Sequence, residues 1–125
     1  MTLKKILLAD DEEDLRTVLG LYLQSKQYDV ITAYDGLNAI DLAKSQKPDL
    51  ILLDVMMPVL NGFEVCKRLK ADPETSSIPV IFVSAAGQPE SKELGFKAGA
   101  VGYLVKPFEP KELDVILERA LASEG

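Results

Sequence analysis

The sequence contains no histidine and only one cysteine. The absence of histidine excludes the serine–histidine and cysteine–histidine pairs of nucleophilic catalysis, and it leaves no imidazole to bind zinc. A single cysteine cannot form an internal disulfide. Cys66 falls at helical spacing from Phe63 and Leu69, which predicts a small buried side chain without chemistry of its own.

Long apolar runs and an excess of basic residues are also absent. The apolar stretches are strand-sized, well below the roughly 20 residues of a membrane span, and residues 1–5 lack the apolar region and cleavage site of a signal peptide. Fourteen basic against twenty acidic residues give a net charge of −6, which argues against direct binding to nucleic acid. We therefore expect a cytoplasmic protein that contacts neither membrane nor nucleic acid directly.

The length of 125 residues, of which 47% are apolar, suits one well-buried core and is too short for two ordinary domains. Apolar segments typical of strands alternate with amphipathic segments typical of helices. The predicted strands span 4–9, 28–33, 50–53, 78–83 and 102–105, and helical patterns follow them over 11–23, 37–43, 63–70, 90–97 and 113–120. We expect a single domain over residues 1–125.

Alternating strands and helices require crossover connections and a parallel sheet that is covered on both faces. The leading architecture is an α/β fold with a doubly wound five-stranded parallel sheet, flavodoxin-like, in strand order 2-1-3-4-5. Ligands bind such sheets at the carboxyl ends of the strands where the strand order reverses, here between the first and third strands.

Acidic residues follow both of those strands. Asp10 and Asp11 end the first and Asp54 ends the third, while Lys106 follows the fifth. Three carboxylates at one sheet edge would repel each other without a cation. Because the available ligands are oxygens, Mg²⁺ is the expected metal, with Lys106 as a fixed positive charge opposite it.

This arrangement predicts chemistry on phosphate. A carboxylate can accept a phosphoryl group as an acyl phosphate, and Asp54, directly after a buried strand, is the natural acceptor. Ser84 could donate a hydrogen bond to a phosphoryl oxygen, although an isolated serine is more often a cap or turn residue. We assign Glu12, Glu13 and Asp14 to capping and to the dipole of the first helix.

Over essentially its whole length the sequence resembles the receiver domain of bacterial two-component response regulators, and in particular the chemotaxis regulators. The resemblance rests on four motifs in the family's order, ILLADDE at 6–12, DVMMPVLNG at 54–62, VSAA at 83–86 and AGAVGYLVKPF at 98–108.

The resemblance implies a role for each position. Asp10, Asp11, Asp54 and the backbone carbonyl of Met56 would bind Mg²⁺, and Asp54 would be phosphorylated. Ser84 and Tyr103 match the family's switch pair, and Lys106 matches its phosphate-pairing lysine. Lys106–Pro107 matches a cis peptide bond.

The resemblance also implies partners. A sensor histidine kinase or a histidine phosphotransfer protein would supply the phosphoryl group, and a downstream protein or output domain would bind the face formed by helix four, strand five and helix five. A phosphorylation-dependent homodimer could form through the same region. Because no output domain precedes the end of the sequence at Gly125, we expect either a stand-alone receiver or a fragment of a longer regulator.

Three other functions share part of this pattern. A flavin mononucleotide module shares the fold, but its phosphate would be repelled by the acidic loop after strand one. An aspartate-nucleophile phosphatase would share Mg²⁺ and the acyl phosphate but usually needs a cap over its substrate. A scaffold that is never phosphorylated is disfavoured because each site position is filled, so we expect a signalling switch and not an enzyme.

Two positions depart from more polar versions of the motifs. Met56 and Ala86 occupy positions that flank the phosphoryl group in this family, and neither side chain can orient water. We therefore expect the phosphorylated domain to hydrolyse slowly by itself.

Overall fold

The computed structural model describes residues 3–122, in which strands and helices alternate along the chain. The strands are β1 (Lys5–Ala9), β2 (Asp29–Ala33), β3 (Leu50–Leu53), β4 (Val80–Ser84) and β5 (Gly102–Val105). The helices are α1 (Glu13–Ser25), α2 (Gly36–Gln46), α3 (Gly62–Ala71), α4 (Pro89–Lys97) and α5 (Pro110–Ala122). The predicted domain boundaries at residues 1 and 125 lie outside the described residues.

All pairs of neighbouring strands are parallel, and the sheet order is β2-β1-β3-β4-β5. This confirms the predicted doubly wound fold. The register pairs Ala9 with Leu53 at the carboxyl ends of β1 and β3. Asp10 and Asp54, each the next residue, therefore leave the sheet side by side.

The sheet separates two hydrophobic clusters, because successive side chains of a strand point to opposite faces. On one face Leu7, Ile51 and Phe82 pack with buried residues of α2 and α3, including Cys66, as predicted. On the other face Leu8 and Leu52 pack with buried residues of α1 and α5. Burial on both faces explains why β1, β3 and β4 are continuous apolar runs.

Side-chain caps fix the start of two helices near the sheet edge. Asp35 accepts a hydrogen bond from the backbone N–H of Asn38 at the start of α2, and Asn61 accepts one from Glu64 at the start of α3. Each cap satisfies a backbone donor that has no partner within its helix. The α3 cap follows directly after the loop that carries Asp54.

Most element bounds differ from the sequence prediction by one to three residues, and the shift at β4 has a clear physical reason. Strand β4 begins at Val80 and not at Ile78, because the N–H of Ile78 donates to the carbonyl of Thr75 and closes a turn. Val18 follows the apolar spacing of α1 but is 68% exposed.

Within residues 3–122, each helix falls short of the length and apolar character required to cross a bilayer.

Candidate functional site

Asp10 and Asp54 form the centre of the site at the carboxyl edge of the sheet. Their side chains are almost fully buried, with residue exposures of 1% and 5%. The backbone N–H of Asp10 donates to the carbonyl of Ala33 on β2, and that of Asp54 donates to the carbonyl of Ala9 on β1. Each carboxylate is therefore placed by a backbone bond that extends the sheet by one residue.

Lys106 is the cation that faces both carboxylates. Its Nζ lies 2.8 Å from Oδ2 of Asp10 and 3.4 Å from Oδ2 of Asp54. Its backbone N–H donates to the carbonyl of Ser84 and thereby holds the residue against the end of β4. The peptide bond between Lys106 and Pro107 is cis, as the resemblance implied.

The electrostatics of this group follow from burial and crowding. Burial and the neighbouring charge of Asp10 raise the pKa of Asp54, and the opposing effect of Lys106 does not cancel them. Burial alone would lower the pKa of Lys106, but the hydrogen bond to Asp10 and the surrounding carboxylates outweigh it and raise that pKa. A buried carboxylate whose ionised form is disfavoured indicates a functional site.

The structure brings Glu12 into the acidic cluster in a way that the sequence prediction missed. Carboxylate oxygens of Asp10, Glu12 and Asp54 lie within 4.8 Å of one another, and Oε1 of Glu12 is 3.5 Å from Nζ of Lys106. Glu12 occupies the cap position of α1, but its side chain makes no capping hydrogen bond there, so the predicted capping role is wrong. Asp11 is exposed and lies outside this three-residue cluster.

The sequence feature that could have identified Glu12 as part of the cluster is the run of acidic residues after β1. Spacing alone does not show which members of such a run turn toward the sheet edge. The structure answers this through a local turn, in which the N–H of Glu12 donates to Oδ1 of Asp10.

Ser84 and Tyr103 lie on the other side of Asp54, at β4 and β5. Ser84 is fully buried, and its Oγ accepts a hydrogen bond from the N–H of Ala86. The hydroxyl of Tyr103 donates to the carbonyl of Ala86, and its ring packs beside Phe82 with 5.8 Å between centroids. Ala86 is thus bonded to both members of the predicted switch pair.

The loop after Asp54 is held by its backbone. The N–H of Met56 donates to Oδ1 of Asp54, while the Met56 side chain is 68% exposed. Gly62 donates to the carbonyl of Val55, and a Cβ on Gly62 would lie 2.2 Å from the carbonyl oxygen of Asp54. Only glycine permits this approach, which places the start of α3 directly against the backbone of Asp54.

The donor set suits a small hard cation. The clustered ligand atoms are carboxylate oxygens, and the part of the chain that the structure describes brings no thiolate into that cluster. Carboxylates, a backbone carbonyl and retained waters are the ligands that Mg²⁺ prefers. An anionic group that approached Asp54 would also meet Lys106.

Comparison with protein families and with curated proteins gives a consistent result. The profile of the "Response regulator receiver domain" matches residues 6–118. The alkaline phosphatase synthesis transcriptional regulatory protein PhoP of Bacillus subtilis is 44% identical over 94% of this chain and 48% of its own length. The transcriptional regulator RpaA of Synechocystis is 42% identical over 87% of this chain and 45% of its own length. The chain spans about half the length of these relatives.

Solved structures agree with the fold. The chemotaxis protein CheY4 of Vibrio cholerae superposes with a TM-score of 0.90 at 37% identity, covering 96% of this chain and all of that one. The receiver domain of the sensor histidine kinase PA1611 of Pseudomonas aeruginosa superposes with a TM-score of 0.90 at 33% identity, covering 97% of this chain and 99% of that one. That structure holds a magnesium ion in its active-site cleft.

Proposed function

The chain belongs to the response regulator receiver family, and we propose that it is switched by accepting a phosphoryl group on Asp54. One observation carries the assignment, namely that Lys106 lies within 3.4 Å of two buried carboxylates that end neighbouring strands. A purely structural ion pair would not require a second crowded carboxylate, whereas phosphoryl transfer requires a nucleophile and a cation at the same point.

The proposed step is a displacement at phosphorus. A carboxylate oxygen of Asp54 forms the new P–O bond, the P–N bond of a phosphorylated histidine breaks, and the imidazole leaves and takes up a proton. The product is an acyl phosphate on Asp54. Because these 125 residues contain no histidine, the phosphoryl donor lies outside them, and we propose that it is a sensor histidine kinase or a histidine phosphotransfer protein.

Asp10, Asp54 and the backbone carbonyl of Met56 would hold Mg²⁺, with Asp11 or Glu12 beside them. The ion would neutralise charge on the transferring phosphoryl group. Lys106, whose ammonium group faces both carboxylates, would neutralise further charge on the phosphoryl group. Asp10 contributes a carboxylate whose direction is fixed by the N–H of Glu12.

The switch would operate through Ser84 and Tyr103. A phosphoryl group on Asp54 offers acceptor oxygens, toward which the Ser84 hydroxyl would turn. That movement would disturb the bond from the N–H of Ala86 to Ser84, and Ala86 also receives the Tyr103 hydroxyl. A change at Asp54 would thereby reach the face formed by α4, β5 and α5, where a downstream protein or output domain would bind.

We propose a stoichiometric acceptor and not a turnover enzyme. An aspartate-nucleophile phosphatase would release product repeatedly, and a scaffold would never be modified. The curated relatives PhoP and RpaA are transcriptional regulators, and this segment covers about half of their lengths. For the segment itself, the net charge of −6 favours protein partners over direct contact with nucleic acid.

Intact-mass spectrometry after incubation with acetyl phosphate and Mg²⁺ tests the proposal. We expect a single phosphoryl adduct that requires Mg²⁺, disappears with a chelator and is absent from Asp54→Asn. Asp29→Asn, which changes an exposed carboxylate on β2, serves as the matched control and should still be modified. An adduct that survives Asp54→Asn, or repeated turnover of a phosphomonoester, would contradict the proposal.

A further inference from the structure

Arg16 makes a contact that the chemistry above does not use. Its Nη1 donates a 2.7 Å hydrogen bond to the backbone carbonyl of Asp10, six residues earlier in the chain. The side chain is half-buried, and the backbone N–H of the same residue donates to the carbonyl of Glu12 in the first turn of α1. Arg16 therefore forms two hydrogen bonds to the segment between β1 and α1, one from its side chain to Asp10 and one from its backbone to Glu12.

This contact completes the restraint of Asp10. The N–H of Asp10 is held by Ala33, its carbonyl by Arg16, Oδ1 by the N–H of Glu12 and Oδ2 by Lys106. The bonds to Ala33 and Arg16 fix the peptide groups on both sides of the Asp10 Cα. The fixed peptide groups set the backbone position from which the Asp10 side chain projects, and the bonds to Oδ1 and Oδ2 then orient its carboxylate toward the centre of the site.

A helix cap does not add to these restraints on the segment between β1 and α1. Helix α1 begins at Glu13 without a side-chain cap, so no cap fixes the path of the chain where it leaves the strand. The planar guanidinium of arginine is suited to holding a carbonyl in a defined direction, and its charge persists at all ordinary pH values.

We infer that Arg16 is a positioning residue for the metal and phosphoryl site, acting through the backbone of Asp10. This inference rests on the proposed function, since it assigns Arg16 to the same site. Partners that orient metal ligands from outside the coordination sphere typically change metal affinity about 10-fold to 100-fold when removed. A residue with only a stabilising role would lower the melting temperature and leave the affinity of the folded protein unchanged.

The test compares Arg16→Gln and Arg16→Lys with wild type and with Arg68→Gln, which removes an exposed arginine from α3. Calorimetric titration should show Mg²⁺ binding about tenfold weaker in Arg16→Gln and an intermediate loss in Arg16→Lys, which retains one donor. Phosphorylation by acetyl phosphate should be slowed at limiting Mg²⁺ and should return to within about twofold of wild type at saturating Mg²⁺. Arg68→Gln should match wild type in both measurements.

A measurement without metal separates positioning from stability. Amide exchange of Glu12, whose N–H bonds to the Asp10 carboxylate, should be several-fold faster in Arg16→Gln, while core amides of β3 exchange at the wild-type rate. Unchanged Mg²⁺ affinity and unchanged Glu12 exchange in Arg16→Gln would overturn the inference. If Arg16→Gln does not fold, the same comparison is made with Arg16→Lys.

The two proposals fail separately. If wild type forms no adduct that depends on Asp54, the proposed function is wrong, while Mg²⁺ affinity and Glu12 exchange still report on Arg16. If wild type is phosphorylated and the Arg16 variants match it at limiting Mg²⁺, only the role of Arg16 is wrong.

Discussion

The ammonium group of Lys106 donates a hydrogen bond to the carboxylate of Asp10, with 2.8 Å between Nζ and Oδ2. Asp54 lies farther from the same nitrogen, at 3.4 Å, and its pKa is raised by burial and by the charge of Asp10. Lys106 therefore neutralises the charge of Asp10, a proposed metal ligand, better than that of Asp54, the proposed phosphoryl acceptor. In the absence of metal and phosphoryl group, Asp54 is the less compensated carboxylate.

Replacing Asp54 by asparagine should stabilise the metal-free protein. The substitution keeps the shape of the side chain and removes a buried charge that the site opposes, so we expect the free energy of unfolding to rise by about 1 kcal/mol at neutral pH. Urea unfolding in the presence of a chelator measures this. The gain should shrink when Mg²⁺ is added, because the metal stabilises wild type more than the variant. A less stable Asp54→Asn in chelator would show that Lys106 compensates Asp54 fully.

The strand ends of this site were predictable because they depend on local sequence. The strand 50–53 was predicted with its observed bounds, and the register of β1 and β3 then places Asp10 beside Asp54. The predicted positions of Lys106 and Ser84 follow from the same rule, whereas Tyr103 was implied by the family resemblance. Each lies in, or directly after, a strand that ends at one edge.

The features of the site that the sequence did not predict depend on the conformations of turns. Glu12 enters the cluster and Asp11 lies outside it because of a hydrogen bond between the N–H of Glu12 and Asp10, which spacing does not encode. Val59 adopts a positive φ of 74° in a tight turn closed by the bond from the N–H of Leu60 to the carbonyl of Pro58. Because β-branched residues disfavour a positive φ, the conformational preferences of the residues do not predict this turn.

Polar residues at positions 56 and 86 should shorten the lifetime of the phosphorylated state. Met56 is mostly exposed beside Asp54, and Ala86 lies in the loop whose carbonyl accepts the hydrogen bond from Tyr103. Both side chains are apolar and have no group that could orient water. In Met56→Asn combined with Ala86→Gln we expect the adduct to decay at least about tenfold faster, since positioned polar groups assist proton transfer from water. Decay is followed by intact mass after removal of acetyl phosphate.

The control for this experiment is Val18→Asn, an equally apolar-to-polar change at an exposed position of α1. It should leave the decay rate at the wild-type value. If the double variant also decays at that rate, the slow hydrolysis expected from Met56 and Ala86 has another origin.

Two helical glycines should respond oppositely to alanine. A Cβ on Gly95 of α4 would lie 3.0 Å from Cδ2 of Phe82 and 3.1 Å from Cδ2 of Tyr103, whereas one on Gly20 of α1 would meet only Cγ1 of Val30 at 3.9 Å. Gly20→Ala should therefore gain about 0.5–1 kcal/mol from helix propensity. Gly95→Ala should lose that gain or become destabilised, because two aromatic rings must move.

Thermal and urea unfolding of the two alanine variants provide the comparison. A second observable follows from the packing of α4 on Tyr103, whose ring signals in an NMR spectrum should shift in Gly95→Ala and stay in place in Gly20→Ala. Equal stabilisation by both substitutions would mean that the ring contacts at Gly95 relax without cost.

Cys66 should make stability fall at alkaline pH. Burial raises the pKa of its thiol from 9.0 to about 11, and the group donates to the carbonyl of Ala98 inside the core. The folded protein therefore keeps its proton while the unfolded chain loses it, so the free energy of unfolding declines between pH 9 and about pH 11. A shift of this size corresponds to a loss of about 2–3 kcal/mol across that window.

Guanidinium chloride unfolding of wild type and Cys66→Ala over this range isolates the thiol, because the other titrating groups are common to both proteins. The difference in stability should be constant below the lower limit and should decline above it, whereas a constant difference throughout would mean that the buried thiol ionises as it does in the unfolded chain.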